Sequence, residues 1–584
     1  MGLISAVTIV YNAESLVGYA IEAVLPYVDE YVIVNGSPQG PSTDLTKTVI
    51  DSFDSSKIKY FEGSFGNAAS TDNWDIVQHN FAFEQCTGEW IWKVDADEIY
   101  DPRQISKVVS ACKYDDGCDY MRWDNLYFVR DTSHIRYVPP PIRLWRDLPG
   151  YTFVDLSVTP ICNGTPIHVA TRGRWFTNVQ TFHYGFLLPY RHQYPRIKKF
   201  IDREDNEDAQ SRPQLYVDAH LRDAWKLDSQ QVMHVDQTQP KAIRESMFYR
   251  RGSGWEGRSV GIYTTGNYNV RDGGGGSELS LCLAREAMIH RGVEVDTGPD
   301  LSDHYDIGIM FRELLPPETI DADIKIWWSC DQYPHSSIVD IVGGYDLIFA
   351  ISDFHANYLV TEMHLPREKV KVINLGFDPE EYQGIRPKVP NQLIYCSQPD
   401  RGLKYLIDIF PRIKERVPDA TLVVTCDKTL WGLSDAGNTS EKLALEKLPG
   451  VLFYGRVERS KLLALQQESD AMLFPCDYNE LFCLSALECQ AAGCMIVTHD
   501  IGALSETVVH GYTGLVIPTH PSTQAFQDTV VEQLCARLTT NRDELALMQK
   551  QARQRAFQFF TWDDILYEWT FYLDIIRRLK KLDW

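Results

Sequence analysis

Gly88–Tyr100 reads GEWIWKVDADEIY, an apolar run that stops at two aspartates one residue apart, Asp95 and Asp97. A short aromatic and β-branched run of this kind predicts a buried strand. Carboxylates at the C-terminal end of such a strand sit where open α/β sheets take their ligands. Two aspartates there can offer oxygens to a hard divalent cation, Mn2+ or Mg2+, that keeps positions free for water and diphosphate oxygens. Alone, an Asp-x-Asp is more often a solvated turn, so its meaning depends on what lies around it.

Upstream of this run the chain alternates strand-like and helical stretches, with strands expected at Ala6–Tyr11, Tyr31–Asn35 and Ile58–Glu62. That alternation predicts parallel strands joined by crossover helices. From about Asp202 a polar acidic stretch, REDNEDAQSRP, opens a connector expected to be partly helical. A new α/β pattern begins with VGIYTTG and runs through DIGIM, IKIWW, LIFAIS and KVINLG. It restarts near Asn391 with QLIYCS, then TLVVTC, VLFYG, AMLFP, CMIVTH and GLVIP. Two such halves of similar size suggest twin Rossmann-like domains facing a cleft. The expected layout is 1–205, a connector over 206–257, then 258–390 and 391–584, all of α/β class.

Bulk properties narrow the function classes. The 584 residues exceed what one core supports, and 44% hydrophobic with 23% charged residues describes an ordinary globular chain. A formal charge of −23 repels a phosphate backbone, so bulk nucleic-acid binding is not expected. The 13 cysteines are scattered, without a Cys-x-x-Cys pair, which favours reduced thiols and a cytoplasmic setting. The N-terminus lacks the features of a signal peptide, and no apolar run reaches membrane-spanning length. The tail IIRRLKKLDW combines apolar and basic residues and could touch anionic lipid peripherally, although a packed final helix is the commoner meaning.

The first part of the chain resembles glycosyltransferase family 2, of the GT-A fold. The resemblance rests on VTIVYNAES, on YVIVNGS followed by STDLT, on HNFAFEQCTGEWIWKVDADE, and on HYGF at His183–Phe186. It implies that Tyr11, Asn12 and Glu14 frame a nucleoside, and that Asp95 and Asp97 hold a diphosphate and its metal. His183 is a candidate further metal ligand, a structural histidine being the alternative. Two departures stand out: Asn35 replaces the acidic residue expected near the base, and the usual His-Glu pair is missing. An inverting transfer needs a general base, and Asp155 is the candidate.

In the second part, Glu480 and Glu488 lie eight apart in ELFCLSALE, among apolar neighbours that do not suit an exposed helix. Carboxylates so spaced can reach opposite ends of one ligand. The glycine run of DGGGGSE, between a strand and a helical pattern, would let backbone N–H groups approach an anion or a sugar. This part resembles glycosyltransferase family 4, of the GT-B fold, through that loop, AISDFHANYL, KVINLGFD, SQPDRGLKYLIDIF, the paired glutamates and HDIGALSETVVHGYTGLVIP. The resemblance implies retention of configuration without a metal. Arg401 would bind the diphosphate, Glu480 the donor sugar and Glu488 the ribose, with Gly275 and Gly276 closing over them. The helix from Trp562 would cross back onto the first Rossmann half. Asp331 is an acceptor-side candidate, and Arg456 or Lys404 could assist Arg401. Cys483 replaces the family's glycine.

The expectation is a bifunctional glycosyltransferase that uses nucleotide-sugar donors. Its acceptor would be a glycan, a lipid-linked sugar or a glycosylated macromolecule. Two rivals remain open at this point. In one, only the second part is catalytic and the first is a docking domain. In the other, the chain is a glycan-binding scaffold without turnover.

Overall fold

The computed structural model describes residues 3–66, 74–114, 118–128, 134–138, 142–147, 151–152, 161–162, 165–166, 173–184, 233–234, 243, 246, 253–265, 275–332, 341–384, 386–426 and 440–584. The chain divides into two compact units. One comprises Met1–Gly254 with Arg367–Lys369 and Thr570–Trp584; the other comprises Trp255–Pro366 and Val370–Trp569. Most of the 206–257 connector, and Asp155, lie outside the described residues.

The first unit is built on a ten-stranded sheet. Its parallel centre is the strand Ile4–Val10, flanked by Glu30–Ser37 and Trp90–Lys93, with Ile58–Ser64 outermost. Every residue of Glu30–Ser37 is buried, as expected for a strand covered on both faces. Beyond Trp90–Lys93 the sheet turns antiparallel through Ile142–Arg146, Tyr120–Phe128 and His134–Val138. A long strand, Gly173–His183, pairs parallel with Tyr120–Phe128 and antiparallel with Glu98–Tyr100. Trp90, Trp92, Trp123 and Trp145 are fully buried along this junction. The segment Thr570–Trp584 belongs to this unit, where Tyr19 Oη donates to the Asp574 carboxylate, both residues being buried.

The second unit contains two six-stranded sheets, parallel throughout. Numbered along the chain within each sheet, the first has strand order 2-1-3-4-5-6, from Ser259–Tyr263 to Val370–Val372. The second has order 3-2-1-4-5-6, from Gln392–Tyr395 to Gly514–Ile517. Both orders reverse direction beside the first strand, and ligands collect at the carboxyl ends of strands at such a switch point. The central strands are short apolar runs buried on both faces, such as Ala471–Phe474 and Met495–His499. In the final helix Trp569 packs edge-on against Trp328 and Phe349 of the first of these sheets, at 5.4 and 4.8 Å between ring centroids.

Candidate active sites

In the first unit, the turn after Ile4–Val10 is clipped to the loop Ser42–Thr46. The backbone N–H of Asn12 donates to Ser42 Oγ at 2.8 Å, and Thr43 N–H donates to Asn12 Oδ1 at 3.0 Å. Asn12 holds φ 49°, a left-handed conformation that asparagine tolerates better than most residues. Glu14 is buried and accepts from Leu45 N–H at 2.7 Å. Asn35, also buried, accepts from Ser42 N–H at 2.9 Å and donates to Tyr60 Oη at 2.8 Å. The side chains of Glu14 and Asn35 therefore brace the loop. Tyr11 and Asn12 are the exposed members of the set, and Tyr11 lies edge-on to Trp74 at 6.2 Å.

At the end of Trp90–Lys93 the two aspartates part company. Asp95 takes Lys93 on one carboxylate oxygen and Arg143 on the other, the latter at 3.1 Å. Burial would raise the Asp95 carboxyl, but those two cations hold it well below the usual carboxylate range. Arg143 also pairs with the fully buried Glu98, whose carboxyl burial pushes up to about 8 against the pull of Arg143. Asp97 faces His183 instead, with Nε2 to Oδ1 at 3.4 Å. The antiparallel pairing of His183 with Glu98 sets that distance, and Tyr184 N–H donates to the Asp97 carbonyl at 2.9 Å. Lys93 and Arg143 escape a motif search because they sit on strands that read as core. A lysine just before the acidic pair and an arginine inside IRLWR were the available signals.

In the second unit a cavity of about 640 Å³ opens at both switch points. Gly275, Gly276, Glu278, Arg312 and Asp331 line it from the first sheet's side; Arg401, Arg456, Arg459, Glu480 and Glu488 line it from the second's. Arg401 lies over the Tyr478 ring at 3.3 Å, with Nε 3.4 Å from Glu480. Burial pushes the Glu480 carboxyl up to about 7, opposed by Arg401. Glu488 is buried in the helix Leu484–Ala491 and pairs with Arg459 at 2.7 Å. Lys404 does not line the cavity and pairs with Asp477 at 2.7 Å. Cys483 holds φ 69°, which explains why glycine is the residue expected there. Arg459 and Arg312, which no motif marks, join the residues anticipated from sequence; Arg459 is the first residue of the helix Arg459–Glu468, and Arg312 stands one residue past the strand Tyr305–Phe311.

Two family models match this chain. Residues 5–134 match "Glycosyl transferase family 2", and residues 385–555 match "Glycosyl transferases group 1". The chain joins two glycosyltransferase segments. Among curated relatives, the chain is similar to a glycogen synthase of Mycobacterium tuberculosis, 30% identical over 217 residues, or 35% of this chain and 49% of that protein. An MMP alpha-(1->4)-mannosyltransferase of Mycolicibacterium hassiacum is 25% identical over 37% of this chain and 51% of that protein. The chain thus spans about half the length of the curated relatives it matches. Among solved structures, a sucrose-phosphate synthase from Thermosynechococcus elongatus covers 53% of this chain and 96% of its own, at 16% identity and a TM-score of 0.42. The family 2 match ends at 134, so His183 and the Gly173–His183 strand lie beyond it.

Among the described residues no group of three or more His, Cys, Asp or Glu side chains converges to hold a metal. The cysteines whose side chains are described, twelve in all, are free thiols. No helix among the described residues is long and apolar enough to cross a membrane. In the tail, Ile575 and Ile576 are buried, Arg577 pairs with Asp574 and Arg578 with Glu22.

Proposed function

We propose that this chain is a bifunctional glycosyltransferase, with one nucleotide-sugar site in each segment and a glycan, lipid-linked sugar or glycosylated macromolecule as acceptor. The observation that carries this reading is the cavity in which Arg401, Glu480 and Glu488 converge from separate stretches of sequence. Arg401, seated on Tyr478, is the cation for the donor diphosphate. Glu480 accepts from donor-sugar hydroxyls, and Glu488, braced by Arg459, accepts from the ribose. These groups supply positioning and charge without a metal, and the resemblance to family 4 supports a retaining transfer in this segment.

In the first segment Asp97 and His183 are the pair that fits a divalent ion, since one carboxylate and one imidazole suit Mn2+ while leaving room for diphosphate oxygens and water. Such an ion would offset negative charge on the leaving diphosphate. Asp95, already held by Lys93 and Arg143, would instead present a fixed carboxylate edge to the nucleotide. Tyr11 would offer its exposed ring to the base. Asp155 is proposed as the base of an inverting transfer.

The test is donor turnover across a panel of nucleotide sugars, with and without manganese, in wild type, Asp97→Ala and Glu480→Ala. Two donors with separate sensitivities support the reading. Turnover sensitive only to Glu480 favours a docking role for the first segment, a reading that the occupied Asp95 carboxylate also favours. No turnover with any donor favours a scaffold.

A further inference from the structure

Arg312 stands one residue past the strand Tyr305–Phe311, at the switch point of the first sheet in the second unit. Its φ is 64°, an unfavourable left-handed conformation for a long side chain, and Trp328 fixes it by accepting from its backbone N–H at 2.9 Å. The guanidinium pairs through Nε with Asp331, and through NH1 with Glu278 at 3.1 Å. Asp331 follows the strand Ala322–Trp328, and Glu278 lies in the first turn of the helix Gly276–His290. Three elements therefore deliver one guanidinium and two carboxylates to the same cavity wall. Gly275 leaves the room this needs: a Cβ there would come within 2.9 Å of Glu278 Oε2.

We propose that Arg312 is a positioning residue that fixes Glu278 and Asp331 as the acceptor-binding pair, and that the acceptor is an uncharged polyol recognised by its hydroxyls. The inference rests on the cavity being a glycosyl-transfer site. Two carboxylates and one guanidinium leave this wall with a formal charge of −1. Each carboxylate keeps lone pairs for hydroxyl donors, as a sugar offers. Because Arg312 is already engaged by both carboxylates, a phosphorylated or carboxylated acceptor would meet a wall of net negative charge, which costs affinity and selects against it. The groups suited to an anion, Arg401, Arg456 and Arg459, line the opposite side, where the donor diphosphate is proposed to lie.

The experiment uses the full chain and the donor whose turnover Glu480→Ala abolishes. Glucose, mannose, galactose and N-acetylglucosamine are offered as acceptors, beside their 6-phosphates. Neutral sugars are expected to raise donor consumption at least about threefold over hydrolysis and the 6-phosphates are not. Arg312→Gly, which suits the left-handed backbone, is expected to keep the wild-type melting temperature while raising the acceptor KM about tenfold with kcat changed less than about threefold. Arg312→Lys, which keeps the charge, should recover part of that loss. Preference for the 6-phosphates, no response to any neutral sugar, or an Arg312→Gly effect confined to the donor KM would each overturn the acceptor assignment. Wild type without any Glu480-dependent hydrolysis would remove the transfer reading as well, which separates the two failures.

Discussion

Glu480 leaves only 16% of its side chain exposed, and burial pushes its carboxyl up to about 7 although Arg401 opposes the shift. A raised acid binds its proton more tightly in the folded chain than in the unfolded one. Its contribution to stability is therefore fully present below pH 4.5 and is lost as pH rises toward 7. Glu480→Gln should accordingly gain stability relative to wild type across that window, by about 1–3 kcal/mol above pH 7. Denaturant melts at pH 5 and pH 8 check the sign. Because the ionised form is the better acceptor of sugar hydroxyls, donor turnover at this site should climb through pH 7, followed by kcat/KM. Cys483 gives a second residue-scale test. With φ at 69°, Cys483→Gly should cost less than about 1 kcal/mol despite emptying a buried position, whereas Cys483→Val should cost more than about 2. Chemical denaturation of both variants decides it. The cysteine was visible in sequence as a departure from the family pattern; that the site is left-handed was not, because φ depends on how the loop before Leu484–Ala491 closes.

At the scale of elements, the parallel strands were the legible part. Runs such as AMLFP and CMIVTH are apolar without alternation, and the strands Ala471–Phe474 and Met495–His499 are buried throughout. Glu294–Gly298 escaped because it is a polar edge strand with mixed exposure. Strands in the mixed part of the first unit escaped for another reason: Tyr120–Phe128 and Gly173–His183 mix charged and aromatic residues without a simple period. The pairing of Gly173–His183 with Glu98–Tyr100 is what carries His183 to Asp97, so the proximity of that pair was implied only by family resemblance. The tail offers an element-scale prediction. Tyr19 donates to Asp574, while Arg578 lies over the Tyr19 ring at 3.8 Å and pairs with Glu22 at 2.8 Å. Asp574→Ala leaves a buried hydroxyl and Arg577 without that carboxylate, and should destabilise the first unit by about 2–4 kcal/mol. Activity assays during mild heating should show Asp97-dependent turnover failing first.

At the scale of the whole chain, the division into two units accompanies two family matches, one to each glycosyltransferase segment. Sequence spacing marked Glu480 and Glu488, and the family resemblance marked Arg401, all of which the fold brings to one cavity; neither gave a sign of Arg459 or Arg312, whose partners lie far away in sequence. On the proposed function, each unit transfers sugar independently. The most direct test is to measure consumption of a panel of nucleotide sugars, with manganese or chelator, by wild type, Asp97→Ala and Glu480→Ala. Turnover of one donor is expected to be lost with Asp97→Ala and chelator yet kept by Glu480→Ala, and turnover of a second donor to show the opposite pattern. A single activity abolished by either substitution alike, or donor use indifferent to both, would contradict it.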